Sequence, residues 1–394
     1  MPFADDRVSV VRCSDYDQDK ATAAVARAIE LLGGLDRFVS PGQHVVLKPN
    51  LLQAAPPERC VTPHPAVVHA VAKLLVEHGC EVVIAESAGG GTMHSEGGLR
   101  KLYEVTGMDR AAESAGVKLS FDTSSRDAPN PNGKLVKRFE VITPVLEADA
   151  VVSVSKAKTH VLTSMTGATK NIFGTLPGME KPSFHGRLTE VDDFAEMLLD
   201  LNALVRPRLQ VMDAVVGMEG EGPSGGDPRP IGVILASGSY AALDVVAARL
   251  MAFRPEEVPT LRKAMERGLL PADYGVNTVG DDPSSIAVPD YRHPRTATAG
   301  VSRHLSGPLL RLMRVYALRP VVMVDRCIGC GLCAKSCPRS TIRMVKGKAR
   351  IKHHDCIRCY CCHEMCPQKA IGLQRSLGGR IMVRLTERRP KAME

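Results

Sequence analysis

The 394-residue chain has no tryptophan, and aromatic residues make up only 4% of it. A core without large aromatic side chains must be built from aliphatic residues and methionine. No uncharged apolar run reaches the 18 or more residues of a membrane-spanning helix. The first residues show neither the basic nor the apolar region of a signal peptide. These absences predict a cytoplasmic protein with no transmembrane segment, and the length predicts two or three domains.

Two phosphate-binding signatures are also missing. No G-x-G-x-x-G follows a predicted strand, and no G-x-x-x-x-G-K-[ST] occurs. Proteins that bind nicotinamide, flavin or nucleotide cofactors usually carry one of these glycine-rich turns. The sequence therefore lacks the usual fingerprint of such cofactors.

Cysteine is scarce in most of the chain and dense in one segment. Only three of the twelve cysteines precede residue 327, and the other nine lie between Cys327 and Cys366. A reducing cytosol disfavours disulfides, so this density predicts metal binding by thiolates. From Arg319 to Glu394 the chain has 17 basic and 5 acidic residues, a net charge of +12. The basic residues are scattered and few aromatic residues accompany them, so we expect no nucleic-acid partner.

The cysteine-rich segment is an internal repeat. Cys327-x2-Cys330-x2-Cys333-x3-Cys337-Pro338 recurs 29 residues later as Cys356-x2-Cys359-x2-Cys362-x3-Cys366-Pro367. This is the bacterial-type run for [4Fe–4S] clusters, in which the fourth cysteine of each copy ligates the other cluster. The predicted ligands are Cys327, Cys330, Cys333 and Cys366 for cluster I, and Cys356, Cys359, Cys362 and Cys337 for cluster II. Structural zinc, which usually takes four ligands, is the alternative, and Cys361 fits no ligand position.

Over about 50 residues this segment resembles the two-cluster bacterial ferredoxins. The resemblance implies low-potential, one-electron transfer through two [4Fe–4S] clusters. We expect a small C-terminal α+β ferredoxin-like domain over residues 319–378, followed by a basic tail over 379–394. An external electron donor or acceptor protein is the expected partner, and a basic module suits an acidic one.

Residues 1–280 alternate between apolar strands and amphipathic helices. Continuous Val and Ile runs such as residues 150–154 are typical of strands that are buried on both faces. The prediction is an α/β domain with a mostly parallel sheet and helices on both faces. Residues 281–318 are expected to form a linker with a short amphipathic helix around residues 309–316.

Polar residues follow several of the predicted strands, and the carboxyl ends of parallel strands converge on one crevice. Four lysines among them predict a cationic pocket for a small anionic substrate. The candidate catalytic residues are Lys156, Lys158, His160, Lys170 and His185. The candidate substrate-binding residues are Lys48, Asn50, His64, Glu86, Asn171 and Asp213. A metal site built from the histidines and carboxylates among them stays open as an alternative.

Four segments carry a resemblance to a known family: Lys48-Pro49-Asn50, Lys156-x-Lys158-Thr159-His160, Thr166-Gly167-Ala168-Thr169-Lys170-Asn171 and Gly220-x-Gly222-Pro223-Ser224-Gly225-Gly226, with Asp244 further on. Together they resemble the domain of unknown function 362 family over residues 5–255. Members often end in a two-cluster ferredoxin. This chain departs from the expected small turn after the Asp244 helix, where it has Met251-Ala252-Phe253-Arg254.

Three functions fit these observations. The first is an iron–sulfur oxidoreductase that passes low-potential electrons through two [4Fe–4S] clusters to a small anionic substrate, with Lys or His supplying protons. The alternative is a carrier or adaptor that relays electrons to a partner enzyme without substrate chemistry of its own. In the third, the clusters are only structural.

Cofactor content tests the interpretation of the repeat. Protein purified without oxygen is expected to contain about eight iron and about eight acid-labile sulfide per chain, because two cubane clusters hold that many of each. Colorimetric iron and sulfide assays check this. Finding about one zinc per four cysteines, without sulfide, would contradict it.

Overall fold

A computed structural model describes residues 6–89, 94–296 and 318–375. The predicted linker helix around residues 309–316 and the basic tail over 379–394 lie outside these residues. In the described part of the chain, no helix combines the length and apolar character needed to cross a bilayer.

The α/β domain alternates strands and helices, as the sequence predicts. Its strands are β1 (Val8–Arg12), β2 (His44–Pro49), β3 (Glu81–Ile84), β4 (Lys118–Leu119), β5 (Ser125–Pro129), β6 (Arg138–Ile142), β7 (Ala150–His160), β8 (Ser164–Met165), β9 (Leu209–Glu219), β10 (Asp227–Ser237) and β11 (Thr278–Gly280). Its helices are α1 (Gln18–Leu31), α2 (Pro65–Glu77), α3 (Glu96–Thr106), α4 (Met108–Ala115), α5 (Thr143–Glu147), α6 (Gly167–Asn171), α7 (Glu180–Arg187), α8 (Val191–Val205), α9 (Tyr240–Leu250) and α10 (Pro259–Glu266).

The central sheet is mostly parallel, which confirms the predicted fold class. Its strand order is β11-β1-β10-β9-β7-β2-β3-β4. Along this path only β10 runs against its neighbours β1 and β9. Val45 and Leu47 of β2 pack in the core with α1 and α2, whereas Val46 packs in the core with α8. Alternate residues of one strand thus enter two cores, so helices cover both faces of the sheet.

Strand β7, the fourth from the β4 edge, is longer than the sequence predicts. Lys156, Lys158 and His160 were expected to follow a strand ending near Val154, but all eleven residues of β7 are buried and the strand continues to His160. Asp213 likewise lies within β9 and does not end it. The prediction was wrong because Lys156 is paired in register with Asp213 on the adjacent strand. Their opposite charges allow polar side chains inside a buried sheet.

Helix α6 is held in place by a buried carboxylate. Gly167 has a φ of +61°, and the backbone N–H groups of Ala168 and Thr169 donate to the Asp244 carboxylate at 2.6 and 2.9 Å. The carboxylate therefore satisfies the free N–H groups at the start of this short helix. It also joins α6 to α9, and α6 carries Lys170 and Asn171.

The C-terminal module is small and mixes short helices with strands. Its elements are β12 (Arg319–Val322), α11 (Leu332–Lys335), β13 (Ile342–Val345), β14 (Lys348–Ile351), α12 (Cys361–Glu364) and β15 (Ile371–Gln374). Strands β12 and β15 pair antiparallel, which joins the two ends of the module. Strands β13 and β14 pair antiparallel and form a hairpin around Lys346-Gly347-Lys348.

A Gly167→Ala substitution is expected to destabilise the α/β domain by about 3 kcal/mol, because the added Cβ would overlap the buried Asp244 carboxylate in a backbone conformation that favours glycine. Urea unfolding followed by circular dichroism measures the change. Gly268→Ala is the matched control, since Gly268 has a φ of +70° but open space around it; only about 1 kcal/mol is expected there. Equal effects in the two variants would contradict the role given to Asp244.

Candidate active site

The C-terminal module docks on the α/β domain through the second copy of its repeat. Ser224 Oγ donates to the backbone oxygen of Glu364 at 2.7 Å, and Lys369 Nζ donates to the oxygen of Gly226 at 2.8 Å. Arg59 donates to the oxygen of Pro367 at 3.1 Å. A Cβ on Gly225 would lie 2.8 Å from the His363 ring, so this close approach requires glycine. The glycine-rich segment over 220–226 is therefore a docking loop for the module.

The short helices of the two repeat copies, α11 and α12, differ in their exposure to solvent. Every residue of α12 is buried, whereas α11 ends in the exposed Lys335. Over residues 331–336 and 360–365 the copies differ at five positions: Tyr360 for Gly331, Cys361 for Leu332, His363 for Ala334, Glu364 for Lys335 and Met365 for Ser336. The second copy is therefore adapted to face the α/β domain.

A cavity of about 390 Å³ lies at this junction. The α/β domain contributes Leu52, Gly89, Lys170, Phe173, Lys181, Pro182 and His185, and the module contributes Ser336, Cys361, Glu364 and Met365. Two of the predicted catalytic residues, Lys170 and His185, are thus brought together. Sequence reasoning gave no role to Cys361, and it missed Lys181 and Glu364.

Lys170 and His185 give this cavity its polar groups. In the described part of the chain Lys170 Nζ has no hydrogen-bond acceptor, and it lies 5.4 Å from the centre of the Phe173 ring. Burial lowers the Lys170 pKa below its usual value, and the nearby Glu364 carboxylate offsets only part of this shift. The His185 ring stacks on Phe194 at 4.3 Å, and its buried Nδ1 has no partner. Burial and the Lys170 charge lower the His185 pKa to about 3, so this imidazole is neutral.

Lys181 places a further positive group beside the cavity. Its Nζ donates to the backbone oxygen of Ser87 at 2.7 Å, to Ser87 Oγ at 2.8 Å and to the oxygen of Leu176 at 2.7 Å. Burial lowers its pKa to about 7, against the attraction of Glu86. No sequence signal marks this residue, because a lysine in the first turn of a polar helix is typically exposed.

Lys158 and His160 lie on β7 beside the same group of charges. Lys158 Nζ donates to the oxygen of Val61 at 2.6 Å, and burial, then Lys170 and Lys156, lower its pKa well below the usual range. His160 Nδ1 accepts from the backbone N–H of Leu162 at 3.0 Å, and its Nε2 lies 3.3 Å from Glu364 Oε1. Burial, with Lys170 adding to it, lowers the His160 pKa well below 6.5. A neutral His160 at the end of β7 therefore faces Glu364 of α12, but the two atoms form no hydrogen bond.

Lys48, Glu86 and Asn171 form a buried network close to Lys181. Lys48 Nζ lies 2.8 Å from Glu86 Oε2 and donates to Asn171 Oδ1 at 3.0 Å. Asn171 Nδ2 donates to Ser153 Oγ at 2.9 Å, while Glu86 Oε1 has no partner. Burial lowers the Lys48 pKa and raises that of Glu86. The network ties α6 to strands β2 and β7.

The remaining candidates lie in a separate cluster. Lys156 Nζ contacts Asp213 Oδ2 at 2.7 Å and Tyr16 Oη at 2.9 Å, and the Tyr16 hydroxyl donates to Asp213 Oδ1 at 2.9 Å. His64 donates its backbone N–H to Asp213 and stacks its ring on Tyr16 at 3.9 Å. These partners satisfy both Asp213 oxygens and the Lys156 ammonium within the protein. Asn50, whose backbone pairs with Val154, does not line the junction cavity either.

The metal alternative for the α/β domain finds no support in this geometry. Over residues 6–89, 94–296 and 318–375, no three His, Cys, Asp or Glu side chains converge to hold a single metal ion. Glu86 and Asp213 are paired with lysines instead.

Two cavities in the module are lined by cysteines. One of about 350 Å³ is lined by Cys327, Cys330, Cys333 and Cys366. The other, of about 320 Å³, is lined by Cys337, Cys356, Cys359 and Cys362. The structure thus brings together the four cysteines of each predicted ligand set. Four thiolate donors at each cavity fit an iron–sulfur cluster.

Two family descriptions match this chain. "Domain of unknown function (DUF362)" matches residues 45–249, and "4Fe-4S dicluster domain" matches residues 319–367. The first match spans the strands and helices that carry Lys158, Lys170 and Lys181. The second spans all nine cysteines of the module, which are the eight of the two repeat copies and Cys361 within the second copy. The C-terminal module is thus an iron–sulfur domain of the 4Fe–4S type.

A named relative and a solved structure are similar to this chain. The "Thylakoid-associated protein sll1697" of Synechocystis sp. is 30% identical over 289 residues, which cover 73% of this chain and 87% of that protein. The lactate racemase apoprotein from Thermoanaerobacterium thermosaccharolyticum is 12% identical with a TM-score of 0.39. That match covers 62% of this chain and 56% of the racemase.

The lowered pKa of Lys181 predicts that stability rises with pH. The unfolded lysine has a pKa of about 10.5 and the folded one about 7, so the unfolded chain binds more protons between these values. Raising the pH from 7 to 9 is therefore expected to add about 2 kcal/mol to the free energy of unfolding. Urea unfolding of the protein and of Lys181→Met at both pH values measures this.

Lys73→Met removes an exposed lysine and serves as the control. It is expected to keep the full rise, whereas Lys181→Met loses the contribution of Lys181. An unchanged rise in Lys181→Met would show that Lys181 keeps its charge in the folded protein at pH 9.

Proposed function

Because this chain belongs to the domain of unknown function 362 family and ends in a 4Fe–4S domain, we propose that it is an iron–sulfur oxidoreductase. Electron transfer is the property of its C-terminal domain. The proposed substrate is a small anion, which binds in the junction cavity between the two domains. The proposed cofactors are two [4Fe–4S] clusters, and the proposed location is the cytoplasm.

Each proposed cluster has its own set of cysteines. Cys327, Cys330, Cys333 and Cys366 would hold cluster I, and Cys356, Cys359, Cys362 and Cys337 would hold cluster II. When bound, such clusters supply single electrons at low potential. An external protein would exchange those electrons with the module.

One observation carries this proposal. Cys361 and Glu364 line the same cavity as Lys170 and His185. Cys361 stands next to Cys362 in the chain, and Cys362 is a proposed ligand of cluster II. A molecule in the cavity would therefore lie against both the charged groups of the α/β domain and the wall of the second cysteine cavity.

The charges around the cavity favour an anion. Lys170 and Lys181 line it, and Lys158 lies close behind. Because these groups are shielded from water, their attraction for an anion is stronger than at a surface.

The cavity residues also have roles in proton transfer. Lys170 has N–H groups free of protein acceptors, and its lowered pKa makes it a better acid near neutral pH. His185 is neutral, and its Nδ1 is free to form a hydrogen bond with a bound molecule. Lys48 with Asn171 positions the helix that carries Lys170. Lys156 and Asp213 hold β7 and β9 in register.

Reoxidation of the reduced protein tests the proposal. The anaerobic holoprotein, reduced chemically, is mixed with fractionated pools of small anionic metabolites while the visible absorbance of its clusters is followed. A pool that contains the substrate is expected to reoxidise the protein. In Lys170→Met this reaction is expected to slow about 30-fold, since about 2 kcal/mol of charge-assisted binding is lost.

Lys101→Met, at an exposed position of α3, is the control and is expected to react as the unmodified protein does. Iron and sulfide content should be the same in all three proteins. Equal reoxidation of Lys170→Met and its control would remove Lys170 from the site. Reoxidation by proteins alone, with no response to any metabolite pool, would favour the electron carrier.

A further inference from the structure

The two cysteine cavities of the module differ in the residues that surround them. The second cavity is lined in part by α12, which is buried against the α/β domain. The first is lined by the exposed residues Cys330 and Ile328, and Ile328 keeps 64% of its surface. We call the part of the module around the first cavity its outer end.

The outer end carries exposed apolar side chains. Val324, Ile328, Met344 and Val345, here called the apolar patch, are 54%, 64%, 38% and 39% exposed. These are four of the seven large apolar side chains exposed in the described part of the chain. Ile328 and Met344 both line the first cysteine cavity. Exposed apolar groups concentrated at one cavity are typical of a surface that binds a partner.

Positive charge surrounds this patch. Residues 319–354 contain nine basic residues and a single acidic one. Arg343, Lys346 and Arg350 of the β13–β14 hairpin are exposed, and none forms an ion pair within the described residues. Lysine and arginine side chains without acidic neighbours leave a local positive potential.

We infer that this face, the apolar patch with its basic hairpin, is the docking surface for an acidic one-electron carrier protein. The inference rests on the proposed electron-transfer function and names the partner for its outer end. The basic hairpin attracts an acidic carrier toward the module, and the apolar patch excludes water at the contact. Each encounter moves one electron: the carrier is oxidised by one electron, the module is reduced by one, and no bond or proton is exchanged.

Charge argues against other occupants of the patch. A second copy of this chain would bring the same basic hairpin against itself, and like charges across an interface are unfavourable. Electron-transfer encounters need only a small contact area, which suits a patch of four side chains. An acidic carrier therefore matches both the charge and the extent of this surface.

Reduction of the holoprotein by a small acidic flavodoxin tests the inference. The flavodoxin is chemically reduced, and the second-order rate constant is measured by stopped flow at several salt concentrations. Arg343→Glu/Arg350→Glu is expected to slow the reaction at least about tenfold at low salt and to remove most of its salt dependence. Affinity for oxidised flavodoxin, measured by calorimetry, is expected to fall in parallel.

Lys101→Glu/Lys118→Glu makes the same change of net charge on exposed residues of the α/β domain and is expected to have little effect. Reduced methyl viologen, a small cation, should reduce every variant readily, which shows that the cofactors are intact. If both double variants slowed the reaction equally, the effect would come from the net charge of the protein and not from this face, which would overturn the inference. A concentration-dependent dimer that Arg343→Glu/Arg350→Glu abolishes would assign the patch to a second copy and also overturn it.

This experiment uses no small anionic substrate, so its result is independent of the junction cavity. If the docking inference fails, reoxidation of viologen-reduced protein by metabolites still tests the proposed function. If the proposed substrate chemistry fails, the effect of Arg343 and Arg350 on the rate of reduction by flavodoxin still tests the docking inference.

Discussion

Burial of positive charge at the junction is the constraint on which this structure depends. Lys158, Lys170 and Lys181 are removed from water between the sheet and the C-terminal module, and Glu86 and Glu364 are the carboxylates near them among the described residues. Removing an ammonium group from water costs several kcal/mol unless it is compensated. The backbone oxygens that accept from Lys158 and Lys181 meet part of that cost. Lys170, with no acceptor in the described protein, is the group left to bind something else.

Docking of the module completes this environment. Without α12 the cavity would lose Cys361, Glu364 and Met365, and Lys170 would gain access to water. The lowered pKa of Lys170 and the neutral state of His160 both follow from that closure. The same helix lies beside the second set of cysteines. A single docking event therefore shapes the polar cavity and places it against the iron–sulfur domain.

The module joins two different surfaces through one repeat. Its second copy has exchanged small or surface residues for Tyr360, Cys361 and Glu364, which pack at the junction. Its first copy keeps Lys335 in solvent and presents Ile328 outward. The two copies thus have the same cysteine spacing, but the second packs at the junction and the first lies at the outer end of the module. In the proposed function, electrons enter at the outer end and are used at the inner one.

The sequence by itself determined the features that depend on local spacing. Cysteines at intervals of three residues specify an iron–sulfur repeat, and continuous Val and Ile runs specify buried parallel strands. Only the tertiary structure decided which polar residues share a site, because that depends on strand register and docking. Lys156 and Asp213 neutralise each other across β7 and β9, although both look like strand-end candidates. Lys181 and Glu364 resemble surface charges in the sequence, and it is packing between distant segments that buries them beside Lys170.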